Sequence, residues 1–255
     1  MRLTKSVVPN LLTLANLFCG FTAIVRTANN EFVTAAVFIL LAAVFDMLDG
    51  VTARLINSTS ELGVELDSLC DAVSFGVAPS YMLFKIYFFQ FGDFGILIAS
   101  FPALAGVLRL ARFNVQITGF EDKLYFRGLP IPAAALNILS YIIFFHISSE
   151  FPDKYKPAAI ILVTVTTSLA MVSKFKYENL PRPSIKSFKQ RPIFFILFII
   201  ALALGFASKG KLIFPLLLVY LFWGAFRHLF YWFKEHQEPE DDIDETEEID
   251  PTPFD

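Results

Sequence analysis

The chain has 255 residues, of which 55% are hydrophobic and 30 are Phe, and a mean hydropathy of +0.58, which excludes an ordinary soluble domain and predicts an all-α polytopic membrane protein. Its net charge of −3 conceals a division: from Glu235 onward there are 11 acidic residues and no Lys or Arg, so all 21 basic residues but only 13 of the 24 acidic ones come earlier, a net of +8 for residues 1–234. That basic body suits anionic lipid headgroups, with membrane lipids and small molecules rather than nucleic acid as partners, and Cys19 and Cys70 lack the spacing of a disulfide framework or a zinc site.

Apolar runs long enough to cross a bilayer, about 20 residues each, fall at residues 10–26, 33–52, 66–90, 94–113, 130–148, 156–173, 192–208 and 212–233, about eight transmembrane helices. The first 26 residues imitate a secretory signal, with Arg2 and Lys5 ahead of an apolar run. Asn10, Thr13 and Asn16 interrupt that run, so it reads as a retained span, with Pro9 suited to a helix start. The three polar residues recur every three positions on one face, where they either hold helices together or line a cleft.

The second and third runs carry the unusual stretch DMLDGVTARLINSTSELGVELDSLCD, residues 46–71. On a helix, steps of three and four residues share a face, so Asp46, Asp49, Gly50, Ala53 and Arg54 form one stripe. A second helix starting near Gly63 aligns Gly63, Asp67 and Asp71. Four carboxylates from two helices thus face a common cleft, and such oxygens suit hard divalent cations, Mg²⁺ or Mn²⁺, in a two-metal site beside a phosphate-bearing substrate. Gly50, Ala53 and Gly63 leave room for a bulky ligand, and Arg54 offers a planar fork to phosphate oxygens. A solvated acidic loop would explain neither the face-matched spacing nor the small residues, and ionisable groups at membrane depth are costly unless they serve a function. Asn57 to Ser60 breaks the helix pair with residues that favour caps and turns, and Ser60 is placed to cap the third span.

These residues meet the pattern D-x2-D-G-x2-A-R-x8-G-x3-D-x3-D at every position, and the chain thereby resembles the CDP-alcohol phosphotransferases, membrane enzymes that move a phosphatidyl or similar group from a CDP-linked donor to an alcohol. The stretches DAVSFGVAP (residues 71–79), RLARFNV (109–115) and FRGLPIPAAA (126–135), with the PNLLTLAN opening, are similar to the phosphatidylserine synthases within that family. The resemblance covers roughly residues 5–140. It implies CDP-diacylglycerol as donor and L-serine as acceptor, two divalent cations on Asp46, Asp49, Asp67 and Asp71, and Asp71 also as the base. Gly50, Ala53, Arg54, Ser60 and Gly63 would bind the donor, and a homodimer is expected. Other acceptors (glycerol-3-phosphate, inositol phosphate, choline) and an ether-lipid donor fit the same motif. A cation-coupled transporter would show repeat symmetry, and the clustered acids are confined to spans two and three.

After Asp71 the third span continues, with Pro79 expected to kink it. Arg109 and Arg112, three apart at the end of the fourth span, are candidates for the serine carboxylate, with Asn114 and Asn16 as neutral partners. Gly119 to Gly128 and Ser173 to Arg191 are polar connections. Basic residues gather at Arg2 and Lys5, at Arg54, at Arg112 to Arg127, at Lys174 to Arg191 and at Arg227 and Lys234, which by the positive-inside rule places those connections, both termini and the cleft at the cytosolic side of the cell membrane. His146, His228 and His236 have no partner spacing. Residues 1–234 form one membrane domain and residues 235–255 an acidic tail expected to be disordered.

Overall fold

The structure, a computed structural model, describes residues 6–56, 60–118, 126–149, 151–173, 175–177, 204–205, 207–208 and 210–235. Its helices are α1 (Val7–Ala28), α2 (Phe32–Leu55), α3 (Glu61–Asp71), α4 (Ala78–Ile86), α5 (Gly92–Thr118), α6 (Ile131–Tyr141), α7 (Lys156–Val172) and α8 (Ile213–Glu235). Five stretches among the described residues are long and apolar enough to cross a membrane: Val7–Ala28, Phe32–Leu55, Glu61–Ile86, Phe88–Val115 and Asp153–Val172; Ile131–His146 and Ile213–Gly224 are shorter apolar helices. Most of the expected seventh span, 192–208, and the acidic tail lie outside the described residues, as do Asn57 to Thr59.

The helices are sorted as a bilayer demands. Outward faces carry large apolar side chains, such as Leu11, Phe18, Phe21, Val37, Leu40, Phe94 and Leu104, while the interior combines small and polar side chains with large ones such as Phe75, Phe88 and Tyr141. Ala35, Ala36, Ile39 and Ala42 form the buried stripe of α2, against which α1 packs. Small side chains there let helix backbones approach, the usual basis of association where lipid removes the hydrophobic drive. Buried Asn137 on α6 donates to Thr167 Oγ1 on α7 at 3.0 Å.

The third apolar run begins earlier than the hydropathy implies, at Glu61, because Ser60 is an extended residue whose Oγ accepts from Gly63 N at 3.0 Å, a standard N-cap. Where Pro79 predicts a kink, the helix widens into a π turn over Ala72–Val77 and re-forms as α4 with Pro79 in its first turn. A proline lacks the N–H and crowds the carbonyl four residues back, and an extra residue in the preceding turn relieves both. Pro102 lies inside α5, which stays α-helical through it, and the N–H of Ala103 finds Ser80 Oγ of α4 at 3.0 Å.

The all-helical expectation holds apart from one two-residue antiparallel pair. β1 (Phe126–Arg127) lies against β2 (Lys176–Tyr177), with Phe126 opposite Tyr177 and Arg127 opposite Lys176. Gly128 N donates to Phe175 O at 2.9 Å; its φ of +87° and the Met171 carbonyl, which any Cβ would strike, explain why glycine stands there. The connections after α5 and α7, both in the basic set, therefore meet at one end of the bundle.

Candidate active site

Three helices build the site. The last turns of α2 bring Asp46, Asp49, Gly50, Ala53 and Arg54; the first three turns of α3 bring Gly63, Asp67 and Asp71; the face of α1 opposite them carries Asn10, Thr13 and Asn16. Ligand oxygens of Asp46, Asp49 and Asp67 lie within 4.8 Å of one another. Asp49 is 6% exposed and Asp71 7%. None of the four carboxylates forms an ion pair with a described Lys or Arg; Arg26 pairs with Glu31 and Lys156 with Asp153, both away from the cluster.

The polar stripe of α1 lines this cleft. Thr13 Oγ1 donates to Asp49 Oδ2 at 2.7 Å and also lies 3.0 Å from Pro9 O, and Asn16 Nδ2 donates to Asp71 Oδ1 at 3.0 Å. Asn10 reaches the start of α3, its Oδ1 being 3.6 Å from where a Cβ on Gly63 would stand. Asp71, one turn beyond Asp67, is thus held by an amide, outside the trio that shares a focus.

The donor set fits a divalent cation. Three hard oxygen ligands converge, uncompensated by a basic side chain, and Asp67 Oδ1 is buried with no hydrogen-bond partner among the described residues. A buried carboxylate oxygen without a partner is costly, and a cation satisfies it while cancelling the repulsion among the three charges. Arg54 is exposed, and its Nη1 lies 3.5 Å from where a Cβ on Gly50 would stand, so its guanidinium lies along the glycine side of α2.

The candidates on α5 separate into two roles. Arg112 is exposed and its Nη1 donates to Val172 O, the last carbonyl of α7, at 3.1 Å; Asn114 bonds Ser68 Oγ at 3.1 Å and Glu65 Oε2 at 3.4 Å. Both tie α5 to its neighbours. Arg109, one turn before, turns inward: its Nε is buried without a described partner, and it lies within electrostatic reach of Asp71.

Two residues not singled out from the sequence complete the site. Ser74, in the π turn, donates from Oγ to Asn16 O at 3.1 Å. Gly20 lies one turn after Asn16 on the same face, and a Cβ there would fall 2.7 Å from Ser74 Cα. The i, i+4 spacing of Asn16 and Gly20 was the available signal, but which helix Gly20 faces depends on the π turn.

Comparison with known proteins shows what the chain is similar to. Residues 6–227 match the model of a family described as CDP-alcohol phosphatidyltransferase. The chain is 34% identical over 225 residues to a CDP-diacylglycerol-serine O-phosphatidyltransferase of Helicobacter pylori, covering 87% of this chain and 91% of that one. To the Bacillus subtilis protein of the same name it is 35% identical over 175 residues, 68% and 90% of the two chains. An archaetidylserine synthase of Methanothermobacter thermautotrophicus is 35% identical over 173 residues, 67% and 69% of the two chains.

Proposed function

We infer that this chain, which belongs to the CDP-alcohol phosphatidyltransferase family, is an integral membrane enzyme that transfers the phosphatidyl group of CDP-diacylglycerol to the hydroxyl of L-serine, giving phosphatidylserine and CMP. The observation that carries the reading is the convergence of Asp46, Asp49 and Asp67 beside an Asp71 held by Asn16. Asp46, Asp49 and Asp67, with Asp71 at the edge, would hold one or two Mg²⁺ or Mn²⁺ ions, and a bound cation supplies Lewis-acid neutralisation of charge on the pyrophosphate and the departing CMP.

The chain's own residues do the rest. Arg54 presents its fork to a donor phosphate, and Gly50, Ala53 and Gly63 leave the space the nucleotide needs. Ser60 Oγ is committed as acceptor to Gly63 N and keeps its proton to donate to a donor oxygen. Asp71, with one oxygen occupied by Asn16, uses the other to take the proton of the serine hydroxyl. The serine oxygen forms its bond to phosphorus as the bond from phosphorus to the CMP oxygen breaks. Alignment of the two substrates in one cleft carries much of the rate. The likeness to an archaetidylserine synthase favours, as a second reading, an ether-linked donor with the same headgroup chemistry. Purified protein in detergent is expected to release CMP from CDP-diacylglycerol only when L-serine and a divalent cation are both present; equal release with either one left out would defeat the reading.

The eight-span arrangement, both termini and the cleft at the cytosolic face of the cell membrane, belongs to the same proposal, as does a homodimer, which rests on the family likeness. The basic connections support the orientation, and the soluble CMP product would leave on that side. A cysteine placed in residues 186–190 is expected to react with an impermeant thiol reagent only from the cytosolic side, and one at Lys209 only from outside. Labelling of both from one face contradicts the span count.

A further inference from the structure

Beside Asp71 two buried polar atoms have no partner among the described residues, and they are of opposite kinds. Asn16, fully buried, has its amide nitrogen committed to Asp71 Oδ1 at 3.0 Å, which leaves Oδ1 as a fixed, unsatisfied acceptor. Arg109, on α5, has an unsatisfied buried Nε donor and lies within electrostatic reach of Asp71 without an ion pair to it. Unpaired amide and guanidinium groups are costly in an apolar bundle and persist where a ligand completes them. The other polar candidates of α5 are already engaged, Arg112 with Val172 O and Asn114 with Ser68 and Glu65.

We propose that Asn16 Oδ1 and Arg109 are the specificity-determining pair for the acceptor, Asn16 accepting from its α-ammonium and Arg109 donating to its α-carboxylate, with the hydroxyl placed at Asp71. This rests on the transfer to serine argued above and adds how serine is told from other alcohols. A neutral amide oxygen next to a carboxylate receives an ammonium, and a half-buried guanidinium with an unpaired Nε receives a carboxylate. Ethanolamine fills the first position and leaves Arg109 unpaired; choline has no N–H for Asn16 and no carboxylate; glycerol-3-phosphate offers Asn16 Oδ1 a neutral hydroxyl in place of an ammonium, and a bulkier phosphate in place of the carboxylate. A site built around hydrogen bonds rejects analogues that lack them, because its own buried groups are then left unsatisfied.

The test measures saturation by L-serine and competitive inhibition by ethanolamine and by 3-hydroxypropanoate, which lack the carboxylate and the ammonium respectively, using purified full-length protein with CDP-diacylglycerol. In the wild type both analogues are expected to bind at least about tenfold more weakly than serine. Arg109→Lys should raise the KM for serine at least about tenfold, weaken 3-hydroxypropanoate, and leave ethanolamine and the KM for CDP-diacylglycerol nearly unchanged. Asn16→Ala lowers kcat through Asp71, so its inhibition constants are the readout: ethanolamine weakened, 3-hydroxypropanoate unchanged. Equal weakening of all three compounds by either variant, or normal serine saturation in Arg109→Lys, overturns the assignment. Should a variant fail to insert, ethanolamine binding the wild type as tightly as serine overturns it equally. A wild type that does not transfer to serine at all refutes the proposed function instead.

Discussion

Asp67→Asn is expected to leave the protein inserted, purifiable and at least as heat-stable as the wild type, yet to remove phosphatidyl transfer. The substitution keeps the shape and removes one charge from a trio whose oxygens lie within 4.8 Å of one another. Losing a like charge relieves repulsion in the metal-free protein, so stability does not fall. Transfer falls because Asp67 Oδ1, with no described protein partner, has no other work than to hold a cation. Asp46→Asn and Asp49→Asn should behave alike, although Asp49→Asn also disturbs the bond from Thr13. Each is expected to retain less than about a tenth of wild-type activity, a loss above roughly 1.4 kcal/mol of transition-state stabilisation. Asp71→Asn should be equally inactive, chiefly through loss of the proton acceptor, since Asp71 stands only at the edge of the cation site. Rates across a series of divalent-ion concentrations separate the two: excess Mg²⁺ or Mn²⁺ partly restores a weakened metal site and does nothing for a missing base. Substantial activity in any of the trio variants would argue against a shared cation.

The second large effect is expected at a glycine that no chemistry touches. Gly20→Val places a branched side chain where even a Cβ would lie 2.7 Å from Ser74 Cα. Backbone cannot swing aside as a side-chain tip can, and overpacking costs typically about 1–3 kcal/mol. The shift also pulls on Asn16, whose carbonyl accepts from Ser74 Oγ at 3.1 Å and whose amide holds Asp71. Both melting temperature in detergent and activity should therefore fall. Gly50→Ala is the contrast, since its Cβ meets only Arg54 Nη1 at an ordinary 3.5 Å; it should melt like the wild type, with any change confined to the donor KM. A Gly20→Val protein with normal melting and full activity would show that α1 is not seated against the π turn as described.

What could be read from the residues alone follows the reach of helical periodicity. Asp46 with Asp49, and Asp67 with Asp71, are fixed relative to each other by steps of three and four on one helix, so the carboxylate cleft was legible before any coordinates. The stripe of Asn10, Thr13 and Asn16 was legible as a stripe, but not its partner: polar residues that bind a neighbouring helix and those that line a cleft have the same spacing, and only packing shows Thr13 on Asp49 and Asn16 on Asp71. Arg109 and Arg112 looked equivalent because they share a face. The structure separates them by depth, one toward Asp71 and one onto the end of α7. Pro79 announced an irregularity but not its form, since a kink and a π turn relieve the same clash. The β1–β2 pair was illegible because it joins segments about 50 residues apart through two residues each, too short for any alternation to register.

The most direct measurement of the central claim offers purified protein CDP-diacylglycerol labelled in its diacylglyceryl phosphate, with Mg²⁺ or Mn²⁺ and equal concentrations of L-serine, glycerol-3-phosphate, inositol phosphate and choline, and separates the labelled lipids. Phosphatidylserine as the dominant product, absent in Asp67→Asn and absent when the metal is chelated, is the predicted result. A different phospholipid as the main product, or phosphatidylserine formed undiminished by Asp67→Asn, would contradict it.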